Sequence, residues 1–312
     1  MHLFKDLTRL SAKMATGLGA VALTLALSGQ AMAQTVIDGL PVRGAPHPEG
    51  IALQPASTSL ADEAHWIDHM VLIIIGIITA FVCALLLWVI LRYNRRANQT
   101  PARFTHNSPL EVAWTILPIF ILIFIGSFTV PALFRQQIMP QADVTIKITG
   151  YQWYWGYEYQ TDNELSFDSL LLQDGDRASY AKEDLATYPR LLAVDNEFVV
   201  PVGKTVRLLV TAADVLHSFA MPAFGVKMDA VPGRLNETWF KAEAEGLYYG
   251  QCSELCGKDH AFMPIAIRVV SQDKFDAWLA AAAEDIDTAN RNLMAAIDAD
   301  AKSVDVAANS KN

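Results

Sequence analysis

The residues best suited to redox chemistry lie in one short segment late in the chain. Cys252, Cys256 and His260 follow one another at intervals of four residues, and Met263 comes three residues later. Thiolate, imidazole and thioether groups form a soft ligand set, which selects copper, zinc or an iron–sulfur cluster over magnesium or calcium. This segment is therefore predicted to be a loop that binds a transition metal.

The choice between zinc and copper depends on the remaining ligands. Beyond residue 143 the chain has one further histidine, His217. Together with Cys252, Cys256 and His260 it would complete the four ligands of a structural zinc site. Met263 favours copper instead, because a thioether is a weak axial ligand in copper sites.

The number of metal ions is indicated by the number of cysteines. A mononuclear blue copper site uses one cysteine with two histidines, whereas this segment has two cysteines. Two thiolates can bridge two copper ions, each of which then takes one histidine, with Met263 and the backbone carbonyl of Glu254 as weak ligands. A disulfide between the cysteines is the alternative without a metal. It would enclose a very small loop and leave His260 and Met263 without a role.

Two long uncharged stretches, 71–91 and 112–134, precede the metal-binding segment. Each is long enough to cross a hydrocarbon core of about 30 Å as a helix. The chain is 52% hydrophobic and only 18% charged, which agrees with segments that contact membrane lipid. We therefore predict a transmembrane hairpin over 66–135, with the loop 92–111 between its spans.

Charges near the span ends predict the orientation of the hairpin. The loop 92–111 carries four arginines and a single acid, so the positive-inside rule places it in the cytoplasm. Residues 1–33 have the basic start, apolar stretch and Ala-Met-Ala end of a cleaved secretory signal, with an uncleaved anchor as the alternative. Both patterns place the mature termini, including the segment 34–65, on the periplasmic side of a bacterial inner membrane.

Glu111, the one acid of that loop, lies where the second span begins. It either stabilises the start of the helix through the helix dipole or accepts protons at the membrane surface. From the residues alone, we prefer the first interpretation.

After residue 143, short apolar segments alternate with proline and glycine, which predicts an antiparallel β-sandwich or barrel over 143–271. Residues 272–283 are predicted to form a helix. The remainder of 272–312 is rich in alanine and aspartate and is predicted to be a flexible acidic tail, either a frayed helix or disordered. The net charge is −9 and no basic run occurs, so no nucleic-acid partner is predicted. Strands are predicted at 144–149, 191–194, 198–200, 206–210, 238–240, 247–250 and 265–270.

Several of these segments together resemble subunit II of haem–copper cytochrome c oxidase, of the bacterial and mitochondrial type. Residues 250–257 with His260 and Met263 are similar to the dinuclear copper motif of that family, called CuA. The resemblance implies a two-helix transmembrane hairpin followed by an all-β cupredoxin-like domain and a short C-terminal helix and tail. Further matching motifs lie at 114–118, 152–155, 214–219 and 229–234.

The resemblance also implies roles for individual residues. Trp153 matches the tryptophan through which electrons enter, although core packing is its simpler interpretation and Trp155 is the expected packed partner. Glu111 matches a carboxylate at the mouth of a proton pathway into subunit I, which reverses the preference stated above. The side chain of Glu254 would reach a magnesium ion shared with subunit I. The implied ligands of two copper ions are His217, Cys252, Cys256, His260, Met263 and the carbonyl of Glu254.

Electrons would come from a cytochrome c, soluble or membrane-tethered, and pass to haem in subunit I for reduction of oxygen to water coupled to proton pumping. Other oxidase subunits are implied as partners. An acidic outer domain fits a basic donor, because complementary charge speeds the encounter. Taken singly, each acid is more simply a solvated side chain. The acids that match the docking face are Glu158, Glu164, Asp168, Asp195 and Asp214.

Three other functions share some of these features. A copper carrier or assembly factor needs an exposed, exchangeable site, often with one span, and the absorption spectrum of the copper-loaded outer domain separates it from a dinuclear centre. A quinol oxidase subunit of related fold lacks the copper ligands. The copper domain of nitrous oxide reductase lacks the hairpin and carries a large additional domain.

Overall fold

The computed structural model describes residues 36–37, 40–100, 102–161 and 165–309. The predicted secretory signal at 1–33 and the predicted docking residue Glu164 lie outside these ranges. The described chain begins with a short strand pair, continues through two long helices into a β-rich domain, and ends in two further helices. This order confirms the predicted fold class.

The two long helices, α1 (Ser59–Arg92) and α2 (Ser108–Gln137), contain the predicted membrane spans. Both are long and apolar enough to cross a membrane, and most of their large apolar side chains are exposed, as expected where lipid covers them. Each helix begins before its uncharged stretch. The side chains of Thr58 and Asn107 accept hydrogen bonds from the first turn, which extends the helix beyond the apolar part.

The β-domain consists of two sheets that share one hydrophobic core. The strands are β1 (Val36–Ile37), β2 (Leu40–Gly44), β3 (Val144–Tyr151), β4 (Tyr154–Tyr159), β5 (Ser166–Ser169), β6 (Phe198–Pro201), β7 (Thr205–Ala212), β8 (His217–Met221), β9 (Val226–Ala230), β10 (Asn236–Lys241), β11 (Gly246–Cys252) and β12 (Pro264–Val270). The first sheet has five strands in the order β10-β7-β3-β4-β5, and the second has seven, β1-β2-β11-β12-β6 with β8 and β9 attached through β11. In β7 buried and half-buried residues alternate, so one face covers the core.

The first turn of α1 is packed directly on the β-domain. Thr58 Oγ1 donates a hydrogen bond to the carbonyl of Phe224 at 2.8 Å, in the turn that follows β8. Gly225 has a φ of +66°, and a Cβ atom there would lie 2.9 Å from Cα of Ala61. A side chain at this position would therefore separate the turn from the helix.

The prediction of a strand at 191–194 is wrong. Leu191 has a φ of +70°, so the chain turns at the start of this segment, and Val194 makes only an isolated bridge with Leu171. Residues 192–194 are nevertheless buried. A short apolar run indicates burial, but it cannot by itself distinguish a strand from a loop that is pressed into the core.

Of the two forms predicted for the tail, the helix is observed, and disorder is wrong for the residues described. After α3 (Gln272–Ala282), the chain forms α4 (Ile286–Asn309), which packs back on the domain. Ala289, Leu293 and Ile297 are buried at intervals of four residues, which places them on one face of the helix. Asn290 donates to the side-chain carbonyl of Asn196 at 2.9 Å. The apolar residues are few, but their spacing is sufficient to bury one stripe.

A buried ion cluster joins the loop before β6 to β12. Lys182 Nζ lies 2.7 Å from Glu197 Oε1, and Arg268 Nη2 lies 3.5 Å from the same oxygen, with each of the three side chains at most 3% exposed. Burial alone would raise the pKa of Glu197, but the charges of Lys182 and Arg268 lower it. The two cations therefore stabilise the ionised form of the acid inside the domain.

Replacing Glu197 with glutamine should destabilise the chain by about 3–5 kcal/mol, because two buried cations lose their counter-charge. Urea denaturation of the full chain in detergent, followed by tryptophan fluorescence, measures the change. Glu237→Gln is the matched control, since it removes only the exposed partner of Arg207 and should cost less than about 1 kcal/mol. Equal losses in the two variants would contradict the role of the cluster.

The same cluster predicts that the free energy of unfolding depends on pH. Folding lowers the pKa of Glu197, so the stability that its ionised form contributes should be complete above the pKa of the unfolded acid. That stability should be lost as the pH falls through the pKa of the folded acid. This part of the acid sensitivity should be absent from Glu197→Gln.

Candidate metal centre

Three strands meet at the candidate site and bring distant ligands together. His217 is the first residue of β8, Cys252 is the last of β11, and Met263 immediately precedes β12. β11 pairs with both neighbours, with Cys252 opposite Phe219 in β8. The Cys252 amide donates to the carbonyl of Met263 at 3.3 Å, which closes the loop between these residues.

Five of the six predicted ligand groups belong to this loop, and the sixth, His217, reaches them from β8. The two cysteine sulfurs lie 3.8 Å apart. Cys252 Sγ is 3.9 Å from His217 Nδ1 and 3.3 Å from the carbonyl oxygen of Glu254. Cys256 Sγ is 3.6 Å from Nδ1 of the second histidine and 3.5 Å from the methionine sulfur. The two cysteines, His217 and Met263 are buried, and His260 is half-buried.

The cysteines are free thiols, which excludes the disulfide alternative in this structure. A disulfide bond would bring the sulfurs to about 2.05 Å. At 3.8 Å, both sulfurs can instead contact one metal ion at a typical metal–thiolate distance of about 2.3 Å. Six donors exceed the four that a structural zinc site takes. The site therefore fits two soft metal ions that share the thiolates.

The two thiols are too close to ionise independently. Burial raises the pKa of Cys252, but a hydrogen bond with His217 and contacts with the backbone lower it to about 6. Burial and the charge on Cys252 raise the pKa of Cys256 to about 12. The pair without a metal therefore holds one thiolate at neutral pH, and a metal bound by both sulfurs must displace the second proton.

Asp214 orients the buried ring of His217. Its Oδ1 atom lies 2.9 Å from His217 Nε2, so Nδ1 is left to face the cysteines. Oδ2 of Asp214 accepts a hydrogen bond from the backbone N–H of Gln152 at 2.7 Å. A Cβ atom at Gly150 would lie 2.9 Å from the imidazole, so the missing side chain leaves room for the ring. Partners of this kind hold metal-binding histidines in the correct orientation.

This role of Asp214 was missed by the sequence analysis, which assigned the residue to the docking face. The signal available was its position three residues before a predicted histidine ligand, in the turn that leads into β8.

Trp153 lies against the loop that carries the cysteines. Its indole N–H donates to the carbonyl of Cys256 at 3.2 Å, and its side chain is half-buried. Gly257 has a φ of +130°, and a Cβ atom there would lie 2.8 Å from the Trp153 ring. Trp155 is fully buried and donates to the carbonyl of Met263 at 3.3 Å. Trp155 is thus the packed tryptophan and Trp153 the one that reaches the surface.

The remaining predicted residues are divided between two regions. Glu158 and Asp168 lie on neighbouring strands, β4 and β5, on the outer surface of the first sheet. Asp195 is half-buried and accepts hydrogen bonds from two backbone N–H groups. Much of its capacity to accept hydrogen bonds is therefore already used within the fold. Glu111 lies near the start of α2, separated from the β-domain by roughly 40 Å of helix. It accepts a hydrogen bond from the Asn107 amide at 3.3 Å as part of the helix cap.

Removing the acceptor of His217 should weaken metal binding. We expect Asp214→Ala to lower the affinity for copper about 10–100-fold, while Asp214→Asn, which keeps an acceptor oxygen, loses much less. Competition with a copper chelator measures the affinity. Asp168→Ala is the control for the loss of one negative charge at the surface, and a loss of affinity as large as in Asp214→Ala would contradict the orienting role.

The chain matches known proteins over most of its length. Residues 144–270 match the family model described as cytochrome c oxidase subunit II, periplasmic domain, and residues 46–131 match that of its transmembrane domain. Cytochrome c oxidase subunit 2 of Cereibacter sphaeroides is 51% identical over 272 residues, 84% of this chain and 88% of that relative. Probable cytochrome c oxidase subunit 2 of Rickettsia bellii is 46% identical over 235 residues, 75% of this chain and 85% of the relative.

Among solved structures, the periplasmic domain of subunit II of cytochrome oxidase of Bradyrhizobium japonicum is 58% identical. The match covers 48% of this chain and 99% of that one, with a TM-score of 0.43.

Proposed function

The chain belongs to the cytochrome c oxidase subunit II family, and we propose that it passes single electrons from a cytochrome c, through a dinuclear copper centre, to haem in subunit I of the oxidase. The observation that carries this proposal is the convergence of two thiols, two imidazoles, a thioether and a carbonyl where one loop meets β8, beside a tryptophan that reaches the surface.

The ligands proposed for the copper ions are His217, Cys252, Cys256, His260, Met263 and the carbonyl of Glu254. Two copper ions held there by Cys252 and Cys256 would supply a one-electron acceptor whose change of charge is spread over both ions. The residues of this chain supply a rigid cage. Cys252 is held by pairing with β8 and His217 by Asp214, so little rearrangement accompanies each electron.

Trp153 is proposed as the residue through which electrons enter. Its indole N–H donates to the carbonyl of Cys256, which gives a short route of one hydrogen bond and a few covalent bonds from the ring to a ligand sulfur. Trp155 has no comparable access, because it is fully buried. A donor that packs on Trp153 therefore lies next to the copper loop.

The surface beside Trp153 suits a basic donor. We define the acidic face as Glu158, Asp168 and Asp214. Burial and the charges of Asp168 and Asp214 raise the pKa of Tyr154, so both acids lie close to that ring. The net charge of −9 adds to the attraction, which supports a basic cytochrome c, soluble or tethered to the membrane, as the donor. Asp195 and Glu164 remain proposed members of the wider docking region.

A different set of exposed residues is proposed to contact subunit I. The side chains of Glu254 and Leu255 are exposed between the cysteines, and Leu255 is 77% exposed, which supports an interface there and a magnesium ion shared through Glu254. Glu111 is proposed to lie at the mouth of a proton pathway that serves proton pumping. These roles require the copper domain on the periplasmic side of the inner membrane and the removal of residues 1–33.

A copper carrier is the second function considered. Its site must exchange metal readily, whereas here both cysteines, His217 and Met263 are buried. The two-helix anchor also exceeds what a carrier needs.

Replacing Cys256 with serine should remove one of the two bridging sulfurs and with it the paired copper centre. Copper content and the electron paramagnetic resonance spectrum of the oxidase complex measure the effect, since an electron shared between two coppers has a distinct spectrum. Cys83→Ser, which removes the exposed thiol of α1, is the control and should leave both unchanged. An unaltered spectrum in Cys256→Ser would refute the bridging role.

Replacing Trp153 with phenylalanine should slow electron transfer into the centre by more than about tenfold, while KM for cytochrome c changes less than about twofold. Phenylalanine keeps an aromatic surface but cannot donate to the Cys256 carbonyl. Stopped-flow mixing of reduced cytochrome c with the oxidised complex measures the rate. Trp239→Phe in β10, also half-buried, is the control. Electron transfer at the normal rate in Trp153→Phe would exclude this residue as the route.

A further inference from the structure

A lysine lies on the tryptophan through which electrons are proposed to enter. Lys258 Nζ is 4.9 Å from the centre of the Trp153 ring, and the lysine side chain is 75% exposed. Gly257 packs against the indole, which brings the next residue of the loop over the ring. The fold therefore places an ammonium group where a donor must make contact, at the edge of an otherwise acidic face.

The ammonium group is held only loosely. A cation–π contact at an exposed site is weak, and so is the exposed ion pair that Lys258 makes with Asp259 at 2.5 Å. The side chain can move aside when a partner binds. Its charge stays near the ring all the same, because the backbone of Lys258 lies between two ligands of the metal loop, Cys256 and His260.

The other lysine near this surface has a different position. Lys147 donates to Glu158 at 2.8 Å, so it neutralises one member of the acidic face and is paired along the sheet. Lys258 is also paired, with Asp259, but of the two lysines it is the one that lies over the Trp153 ring, so it is the cation that a donor meets there. A cationic side chain of the donor brought to the same point would be repelled, since like charges in contact oppose association.

We propose that Lys258 is a specificity-determining residue for the electron donor, an inference that rests on the proposed function of Trp153. It disfavours docked orientations in which a cation of the donor covers Trp153. It thereby selects a donor that presents an uncharged, electron-carrying edge to the ring, surrounded by cations that pair with the acidic face. The acids favour association with basic proteins, and repulsion by Lys258 determines which of their docked orientations are favoured.

The experiment uses the complete oxidase with Lys258→Gln, Lys258→Glu and Lys258→Arg. Lys241→Gln is the matched control. It removes the same charge from the strand end that pairs with Thr205, whereas the other end of β7, at Ala212, lies beside the metal site. Turnover is measured with a basic cytochrome c and with tetramethyl-p-phenylenediamine, a small uncharged donor, at low and high ionic strength.

We expect KM for the basic cytochrome c to fall about fivefold in Lys258→Gln at low ionic strength and further in Lys258→Glu, because removing a surface cation favours association. We expect kcat to fall about twofold or more in the same variants, because orientations in which a donor cation covers Trp153 are no longer disfavoured. Lys258→Arg and Lys241→Gln should match the unmodified oxidase. The difference should shrink at high salt, where surface charges are screened. Rates with the uncharged donor should be equal throughout, which a damaged copper loop would not allow.

An unchanged or higher KM for cytochrome c, or an unchanged kcat, in both Lys258→Gln and Lys258→Glu would overturn the proposal. So would an equal change with the uncharged donor, which would assign Lys258 a structural role. Trp153→Phe is measured alongside. If it transfers electrons normally, the proposed route has failed; if it is slow and the Lys258 variants are unaltered, only the specificity role has failed.

Discussion

The backbone pairing of β8, β11 and β12 is the constraint on which the rest of the structure depends. It places Cys252 opposite Phe219 and Gln251 opposite Pro264, so His217 and Met263 are brought to the same point by main-chain hydrogen bonds. The strand pairing therefore fixes the relative positions of the ligands, and the buried core packs beneath them. A site of this kind loses little conformational freedom on binding, which favours both affinity and small rearrangement during electron transfer.

Further contacts around the ligands distinguish the surface proposed for the electron donor from the surface proposed for the acceptor subunit. Asp214 fixes one imidazole, and Trp153 is joined to Cys256 on the side that faces the acids. Nearer the start of the loop, Glu254 and Leu255 are exposed. The same short loop therefore presents residues 256–258 to the proposed donor, beside Trp153, and Glu254 and Leu255 to the proposed acceptor subunit.

The grouping of the two cysteines with His260 and Met263 and the two long apolar helices follow from the sequence, because each depends on residue type and local spacing. The predictions for Leu191 and for the tail residues Ala289, Leu293 and Ile297 differ from the structure for the opposite reason. Whether an apolar run becomes a strand, or a sparse stripe becomes a packed helix, depends on which surface lies opposite, and that surface is distant in the chain. The orienting contact of Asp214 depends in the same way on the conformation of a turn.

The close packing of Gly225 on Ala61 couples the orientation of the copper domain to that of α1. The turn after β8 sits on the first turn of α1 without an intervening linker, so the domain follows the rotation of that helix. One residue inserted between Ala61 and the membrane-embedded part of α1 would turn the domain by about 100° and raise it by about 1.5 Å. The number of residues in α1 therefore sets the direction in which the metal site faces above the membrane, because the domain is attached rigidly to that helix.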